Sequence, residues 1–198
     1  MDIGDLHPDP LIQFGRWFDE ATSAGLQLPE AMTLATADAR GRPSARTVLL
    51  KGVDGRGFLF FSNYESRKGR ELTENAHGAL VFHWPVEPRR QVTAAGAVER
   101  LPADESEAYF RTRPLGSRLG AWASRQSVPI PDRDALERAF AEAERRHGDD
   151  PPIPAWWGGY VLSPRRIEFW QNRPNRLHDR FRYLPDASGG WRIERLGP

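Results

Sequence analysis

The amino-acid sequence predicts a mostly β protein in which antiparallel strands form a barrel and helices pack on its outside. Apolar segments rich in β-branched and aromatic residues follow one another closely, and turn sequences such as DARGRP and DGRG separate them. This pattern is typical of antiparallel strands. A helical section then interrupts the strands, and further strands follow the DDPPIP segment. Strands on both sides of an inserted helical section favour a single sheet with helices outside it.

The strands are predicted from short apolar or alternating segments bounded by turn residues. In chain order they are 32–37, 45–53, 57–62, 78–84, 90–100, 159–162, 166–171, 180–184 and 191–196. No internal repeat and no change in composition divides the chain. One domain over residues 1–198 is therefore expected.

The helices are predicted from apolar residues at helical spacing and from capping residues. Residues 1–8 are expected to form a loose arm ahead of the first helix. Ser66 and Asp132 are each expected to cap a helix, because their side-chain oxygens can accept a free backbone N–H of the first turn. Helices are predicted over 9–24, 66–75, 102–112 and 132–147, with a short turn over 117–122.

The composition excludes several classes of protein. The 28 Lys and Arg residues balance 27 Asp and Glu residues, for a formal charge of +1, which argues against a nucleic-acid or membrane-surface binder. The chain has no cysteine, so disulfides, thiolate metal sites and a cysteine nucleophile are excluded. The five histidines are dispersed along the chain, so no metal site is expected.

Sequence motifs exclude further functions. The chain contains no P-loop, no GxGxxG segment and no GxSxG segment, which leaves nucleotide hydrolysis, NAD binding and serine hydrolase chemistry without support. The N-terminus does not resemble a signal peptide, and no apolar run approaches the length of about 20 residues that spans a bilayer. A soluble, cytoplasmic protein is expected.

Basic side chains near strand ends and helix starts are the main candidates for ligand binding. Arg46 and Lys51 fall on one predicted strand at an odd spacing, which predicts that they face opposite sides of the sheet. Arg67 and Lys68 fall in the first turn of a predicted helix, where free N–H groups and the helix dipole favour a phosphate. A solvated basic turn is the alternative for this pair.

Two further segments combine aromatic, basic and polar residues. Tyr109, Arg113 and Ser117 recur at four-residue intervals and can converge on a second phosphate, although Pro114 is expected to interrupt that helix. Near a strand start, Trp170 can line a planar cofactor, and the arginines and histidine of NRLHDR can hold anions or move a proton. An ordinary surface turn is the alternative here.

Six segments resemble, in order, the pyridoxamine 5'-phosphate oxidase family. They are ARTVLLK, FFSNYESRKGRELTEN, RRQV, YFRTRPLGSRLGAWASRQS, PAWWGGYVLSPRRIEFWQ and NRLHDRFRY. The similarity extends from about Leu28 to the C-terminal RLGP. It implies an FMN-binding split β-barrel that forms a homodimer, with FMN held between the subunits.

The resemblance also implies roles for individual residues. Those implied to contact FMN are Arg46, Thr47, Val48, Leu49, Phe61, Ser62, Arg67, Lys68, Gln91, Gln126, Ser127, Trp170 and Arg180. The substrate phosphate is implied to lie among Lys51, Tyr109, Arg113 and Ser117, with Arg176 and His178 flanking the substrate ring as catalytic residues. The implied reaction oxidises pyridoxine or pyridoxamine 5'-phosphate to pyridoxal 5'-phosphate, with O2 reduced to H2O2.

Two positions depart from the family pattern, and other functions stay open. Phe61 stands where a tyrosine is frequent, and Arg173 adds a charge close to the implied substrate entrance, which predicts a shift in substrate range. An FMN oxidase acting on another ring system, such as a phenazine, is one alternative. A non-catalytic flavin carrier and an RNA binder that uses the C-terminal arginines are the others.

Overall fold

The computed structural model describes residues 1–198 and contains one nine-stranded antiparallel sheet with five α-helices. The strands are β1 (Ala31–Ala37), β2 (Pro43–Leu49), β3 (Gly52–Asp54), β4 (Gly57–Asn63), β5 (His77–Trp84), β6 (Arg90–Arg100), β7 (Trp157–Gln171), β8 (Asp179–Pro185) and β9 (Trp191–Arg195). The helices are α1 (Pro10–Ser23), α2 (Arg67–Glu74), α3 (Ala103–Thr112), α4 (Leu115–Ala123) and α5 (Arg133–His147). Short 3-10 turns occupy Ile3–Asp5 and Pro174–Arg176. The predicted mostly antiparallel β architecture with flanking helices is confirmed.

The long strand β7 gives the sheet its split form. The strand order is β2-β1-β5-β6-β7-β4-β3, and β8 and β9 extend from β7 as a second branch. Residues 157–162 of β7 pair with β4, whereas residues 167–171 pair with β8. Between these two halves of β7, its pairing register with β6 shifts, at the point where Gly96 lies opposite Pro164. A Cβ atom at Gly96 would lie 1.9 Å from the Ser163 carbonyl oxygen, so this crossing requires glycine.

The core lies between the sheet and α1. Alternate residues of neighbouring strands point inward, and Val92, Phe169 and Phe181 are completely buried, as a half-exposed sheet requires. From α1, Phe14 contacts the ring of Phe82 at a centroid distance of 4.8 Å. Because alternation sends every second residue outward, the same strands also present polar and aromatic side chains on their other face.

Several local predictions differ from the structure. The predicted strand over 45–53 is divided into β2 and β3 by two residues outside any ladder, Leu50 and Lys51. The predicted turn over 117–122 is part of the helix α4. The strands predicted over 159–162 and 166–171 are one continuous strand, since the chain bends through Pro164 without leaving the sheet.

The N-terminal residues, for which the sequence predicts a loose arm, make defined contacts. Leu6 is buried, and Arg195 in β9 donates hydrogen bonds to the Met1 carbonyl at 2.8 Å and to the Asp2 carboxylate at 2.6 Å. These contacts hold the arm against the last strand. None of the five α-helices has the length and apolar character needed to cross a membrane.

Candidate functional site

A cleft of about 550 Å³ lies beside β2, at the end of the sheet. Elements distant in the chain meet there, because β2, β4 and α2 form one wall and the α3–α4 segment forms the other. The residues that line the cleft are Arg46, Thr47, Val48, Leu49, Lys51, Phe61, Ser62, Lys68, Tyr109, Thr112, Arg113, Pro114, Ser117, Gln126 and Trp157. The structure thus brings together most residues of both predicted phosphate-binding groups.

Arg46 and Lys51 both line this cleft, so the prediction that they face opposite sides of the sheet is wrong. The alternation rule holds only within a strand, and β2 ends at Leu49. Lys51 lies in the connection to β3, where it is free to turn toward the same side as Arg46. The strand β2 pairs only with β1, and its unpaired edge carries residues 46–49 along the cleft.

The first turn of α2 forms the cationic end of the cleft. Ser66 caps this helix, as predicted, and accepts a hydrogen bond from the Gly69 N–H at 3.3 Å. Lys68 Nζ lies 3.1 Å from both Ser66 Oγ and Gln126 Oε1, and no carboxylate pairs with it. Burial and the nearby Arg46 lower the pKa of Lys68 to about 8. A cation that is partly buried without a counter-ion favours the binding of an anion at this position.

Ser127 closes this end of the cleft from the opposite side. Its Oγ accepts a hydrogen bond from the Arg67 backbone N–H at 3.1 Å, so it caps a second free donor of the helix start. The backbone of Ser127 has a φ of 67°, which is the left-handed region that a serine rarely adopts. The Arg67 side chain itself is mostly exposed and reaches back to Glu71, with Nε 2.9 Å from Oε1.

A buried carboxylate lies behind the cationic end. Glu71 Oε2 accepts hydrogen bonds from the hydroxyls of Thr36 and Ser44 at 2.5 Å and lies 3.3 Å from Arg46 Nη2. Burial alone raises the pKa of this carboxyl, but the hydrogen bonds from Ser44, Thr36 and Arg67 outweigh burial and lower the pKa to about 2. Glu71 is therefore ionised at neutral pH and holds Arg46 beside the cleft.

The other end of the cleft contains Arg113 and a stack of three aromatic rings. Phe61 lies 3.9 Å from the Tyr109 ring and 5.6 Å from the Trp157 ring, with interplanar angles of 20° and 15°. Helix α3 ends at Thr112, and Pro114 precedes α4. As predicted, the proline interrupts the helix, yet Tyr109, Arg113 and Ser117 still line one cleft.

Arg113 has no polar partner in the chain. Its side chain makes no hydrogen bond or ion pair, and its Nη1 atom is fully buried without an acceptor. Burial lowers the pKa of this guanidinium, and Tyr109 opposes that shift. Buried polar groups are almost always paired in folded proteins. An unpaired guanidinium that faces a cleft therefore indicates a binding position for an anion.

The remaining predicted residues lie elsewhere on the sheet. Gln91 of β6 is directly opposite Trp170 of β7, and Trp170 is opposite Arg180 of β8. The residue next to each of them in its strand, Val92, Phe169 or Phe181, belongs to the core, so these three side chains share the outer face. The His178 ring lies 4.6 Å from the Trp170 ring. None of the residues in this second group lines the cleft.

A short turn presents Arg176 and His178 beside the second group. Asn175 and Arg176 have φ values of 59° and 62°, and Arg176 is exposed. The Arg173 backbone N–H donates to His178 Nδ1 at 3.2 Å, and Arg173 Nε pairs with the buried Asp179 carboxylate at 2.6 Å. Arg173 shares this carboxylate at the start of β8 with Arg195 and the N-terminal amine.

Two residues of the site, Glu71 and Trp157, were not predicted from the sequence. Glu71 is an acidic residue in an amphipathic helix, and nothing in its local pattern distinguishes it from a solvated surface residue. Trp157 is part of the WWGGY segment, whose paired glycines were a usable signal, since consecutive glycines in a strand indicate close approach by another element. Arg180 pairs with Glu168, with Nε 2.8 Å from Oε1, and its implied contact with FMN stays a prediction.

Two family models match most of the chain. Residues 18–147 match the family model described as pyridoxamine 5'-phosphate oxidase, and residues 157–198 match the one described as the pyridoxine 5'-phosphate oxidase C-terminal dimerisation region. The pyridoxine/pyridoxamine 5'-phosphate oxidase of Cupriavidus taiwanensis is 58% identical over 198 residues, covering 100% of this chain and 93% of the relative.

Two solved structures show the same fold. PhzG from Burkholderia lata, in complex with tetrahydrophenazine-1-carboxylic acid, superposes with a TM-score of 0.92 at 34% identity and covers 98% of this chain and 95% of its own. A pyridoxamine 5'-phosphate oxidase-related, FMN-binding protein from Nostoc punctiforme superposes with a TM-score of 0.73 at 19% identity, with coverage of 92% and 96%. The family models together cover nearly the whole chain, and the chain therefore belongs to the pyridoxamine 5'-phosphate oxidase family.

Proposed function

We propose that this protein is an FMN-dependent oxidoreductase that converts pyridoxine 5'-phosphate and pyridoxamine 5'-phosphate to pyridoxal 5'-phosphate. O2 is the electron acceptor, and H2O2 is the second product. A relative that is 58% identical and named for these two substrates supports the proposal. FMN bound in the cleft would supply the acceptor for a hydride from the C4' carbon of the substrate and the route by which the electrons reach O2.

The observation that carries the proposal is the unpaired Arg113 guanidinium in the cleft. A phosphate in the cleft would give this guanidinium the acceptor that the chain does not supply, and charge-assisted hydrogen bonds of this kind are about twice as strong as neutral ones. Ser117 and Lys51 line the same cleft and provide a hydroxyl and an ammonium group. Together they fit the phosphate of a small substrate.

The cationic end of the cleft fits FMN. Lys68, which has only neutral hydrogen-bond partners, and the positive end of the α2 helix dipole suit the FMN phosphate. The unpaired edge of β2 offers backbone N–H and C=O groups along residues 46–49, and these match the donors and acceptors on the edge of a flavin ring. Phe61 adds an aromatic wall to the same cleft.

A homodimer explains why the predicted residues fall into two groups. The first lines the cleft, whereas Gln91, Trp170 and His178 lie on the outer face of the second branch. Large apolar side chains are exposed beside both groups, with Leu49 37% exposed at the cleft and Leu177 68% exposed in the turn. The family model that residues 157–198 match is described as a dimerisation region, which supports a dimer. We propose that the partner subunit brings its second group to this cleft, so that FMN lies between subunits.

His178 and Arg176 are the proposed catalytic residues. Because His178 Nδ1 accepts a hydrogen bond from the Arg173 backbone, the neutral imidazole carries its proton on Nε2. His178 is therefore arranged to donate a hydrogen bond to a substrate atom. The exposed guanidinium of Arg176 stabilises negative charge on the substrate ring. The phosphate-binding residues fix the other end, which orients the C4' carbon for reaction.

Anaerobic spectroscopy tests the proposal directly. The purified protein is expected to show flavin absorbance that bleaches when pyridoxamine 5'-phosphate is added without O2 and returns when air is admitted. Pyridoxamine without the phosphate is the matched control substrate and should bleach the flavin far more slowly. A yellow protein that stays oxidised with both phosphorylated vitamers contradicts the proposed function.

The alternative of a phenazine-type ring substrate has one supporting observation, which is the likeness to the PhzG complex. Identity to that protein is 34%, against 58% to the named vitamer oxidase. Rapid flavin bleaching by a dihydrophenazine carboxylate, combined with none by the phosphorylated vitamers, would favour this alternative.

A further inference from the structure

We infer that Trp157 is a positioning residue whose indole holds the Arg113 guanidinium in the orientation in which it binds the substrate phosphate. Trp157 lines the same cleft as Arg113. The inference rests on the proposed function, because it takes Arg113 as a ligand of that phosphate.

Aromatic rings are the groups of this chain that favour a cation at the Arg113 position. The Arg113 Cζ atom lies 4.6 Å from the centroid of the Trp157 ring and 5.5 Å from that of Phe110. The side chain makes no hydrogen bond or ion pair, and Nη1 is buried without a partner. Cation–π attraction to Trp157 is therefore the main contact that opposes the cost of burying this charge.

Trp157 is itself held rigidly enough to orient its neighbour. It is only 7% exposed and starts β7, where it pairs with Asn63 of β4. Its backbone N–H donates to the Pro154 carbonyl at 3.0 Å. A flexible arginine that stacks on a fixed ring loses its rotamer freedom before the ligand arrives, so less conformational entropy is lost on binding.

The Trp157 indole is also aligned with the ring of Tyr109, which the family resemblance implies to be a further ligand of the substrate phosphate. The Tyr109 ring lies 6.2 Å from the Trp157 ring at an interplanar angle of 5°, with Phe61 stacked against both. A Cβ atom at Gly159 would lie 2.8 Å from Phe61 Cε1 and 2.5 Å from Leu101 Cδ1. Glycine at this position therefore allows the close approach that builds the stack.

Equilibrium binding to the FMN-loaded protein tests the inference without relying on turnover. Isothermal titration calorimetry gives one Kd for pyridoxal 5'-phosphate and one for pyridoxal. The Kd for pyridoxal divided by the Kd for pyridoxal 5'-phosphate measures the contribution of the phosphate. We expect Trp157→Leu to reduce this ratio by about 3- to 30-fold and Trp157→Phe, which keeps an aromatic face, to reduce it much less. Arg113→Ala and the double variant complete a double-mutant cycle.

Trp156→Leu is the matched control, since it removes the indole of the preceding residue, which lies in the turn ahead of β7. Trp156 packs against Trp122 at a centroid distance of 5.0 Å and does not line the cleft, so the phosphate contribution should be unchanged. If Trp157 acts through Arg113, the double variant loses no more of the ratio than Arg113→Ala alone.

Two results would overturn the inference. Equal weakening of pyridoxal 5'-phosphate and pyridoxal in Trp157→Leu would show that the indole packs against the ligand ring instead. Additive losses in the double-mutant cycle would show that Trp157 and Arg113 act separately. If Trp157→Leu does not fold, the same cycle is measured with Trp157→Phe, and zero coupling to Arg113→Ala contradicts the inference. Failure of the proposed function is distinguishable, because it appears as wild-type flavin that does not bleach with pyridoxamine 5'-phosphate.

Discussion

The lowered pKa of Lys68 predicts that FMN binding weakens at mildly alkaline pH. Burial and the adjacent Arg46 lower this pKa from an ordinary value of 10.5 to about 8 in the ligand-free protein. A phosphate dianion beside Lys68 favours the charged amine and raises its pKa again. Binding above pH 8 must therefore take up a proton, and the apparent affinity decreases as pH rises through that value.

The size of the effect follows from the two pKa values. At pH 9, about one Lys68 in ten is protonated when its pKa is about 8, so the FMN Kd should be about tenfold higher than at pH 7. With an ordinary pKa of 10.5, about 97% of the amine would be protonated at pH 9, and the Kd would hardly change. The neighbouring carboxylate does not titrate in this range, because the pKa of Glu71 is about 2, and arginine side chains do not lose their proton in proteins.

The assay is quenching of flavin fluorescence on titration of the ligand-free protein, at pH values from 7 to 9. Riboflavin, which lacks the phosphate, is the control ligand, and Lys68→Met is the control variant. Both should give a Kd that does not depend on pH over this range. An equal FMN Kd at pH 7 and pH 9 for the wild-type protein would refute the reasoning, since either Lys68 is not desolvated or it does not contact the phosphate.

Three further predictions concern the substrate site and the sheet. Arg113→Ala should raise the KM for pyridoxamine 5'-phosphate by about 10- to 100-fold through loss of a charge-assisted contact, and an unchanged KM in steady-state kinetics would remove Arg113 from the phosphate site. Arg176→Ala should lower kcat by about 10- to 100-fold with little change in the FMN Kd, because transition-state contacts act on turnover; the reverse pattern would place it on the cofactor. Gly159→Ala should lower the free energy of unfolding by about 1–3 kcal/mol in urea titrations, because its Cβ would overlap Leu101. Gly120→Ala, in open space on α4, should instead raise it by about 0.5–1 kcal/mol, and equal effects of the two changes would contradict the steric argument.

Local chemistry explains why much of the architecture was predictable. Ser66 and Asp132 cap their helices because capping depends on the few residues that follow them. Strand alternation likewise depends on near neighbours. Where the local pattern was ambiguous, prediction failed, as in the segment around Ser117 that forms part of α4. Only a short turn was predicted over 117–122, whereas the structure has the nine-residue helix α4, which packs on α5.

The placement of site residues was less predictable. The error over Arg46 and Lys51 arose because sequence spacing does not reveal where a strand ends. The charge of Arg173 was read from sequence as an addition to the substrate entrance, but it forms an ion pair with Asp179. Which charged groups become paired depends on three-dimensional proximity, and pairing decides whether a charge is available to a ligand.

The sequence by itself determined the fold class, the family and the residue types of the candidate site, because these depend on local patterns and on ordered segments of similarity. Only the tertiary structure showed that Arg113 is buried without a partner, that Glu71 holds Arg46, and that Trp157 lies under the Arg113 guanidinium. It also separated the predicted residues into two groups at different places on the sheet. Burial and electrostatic partnership are properties of residues far apart in the chain, so they are decided when the sheet assembles and not by any local segment.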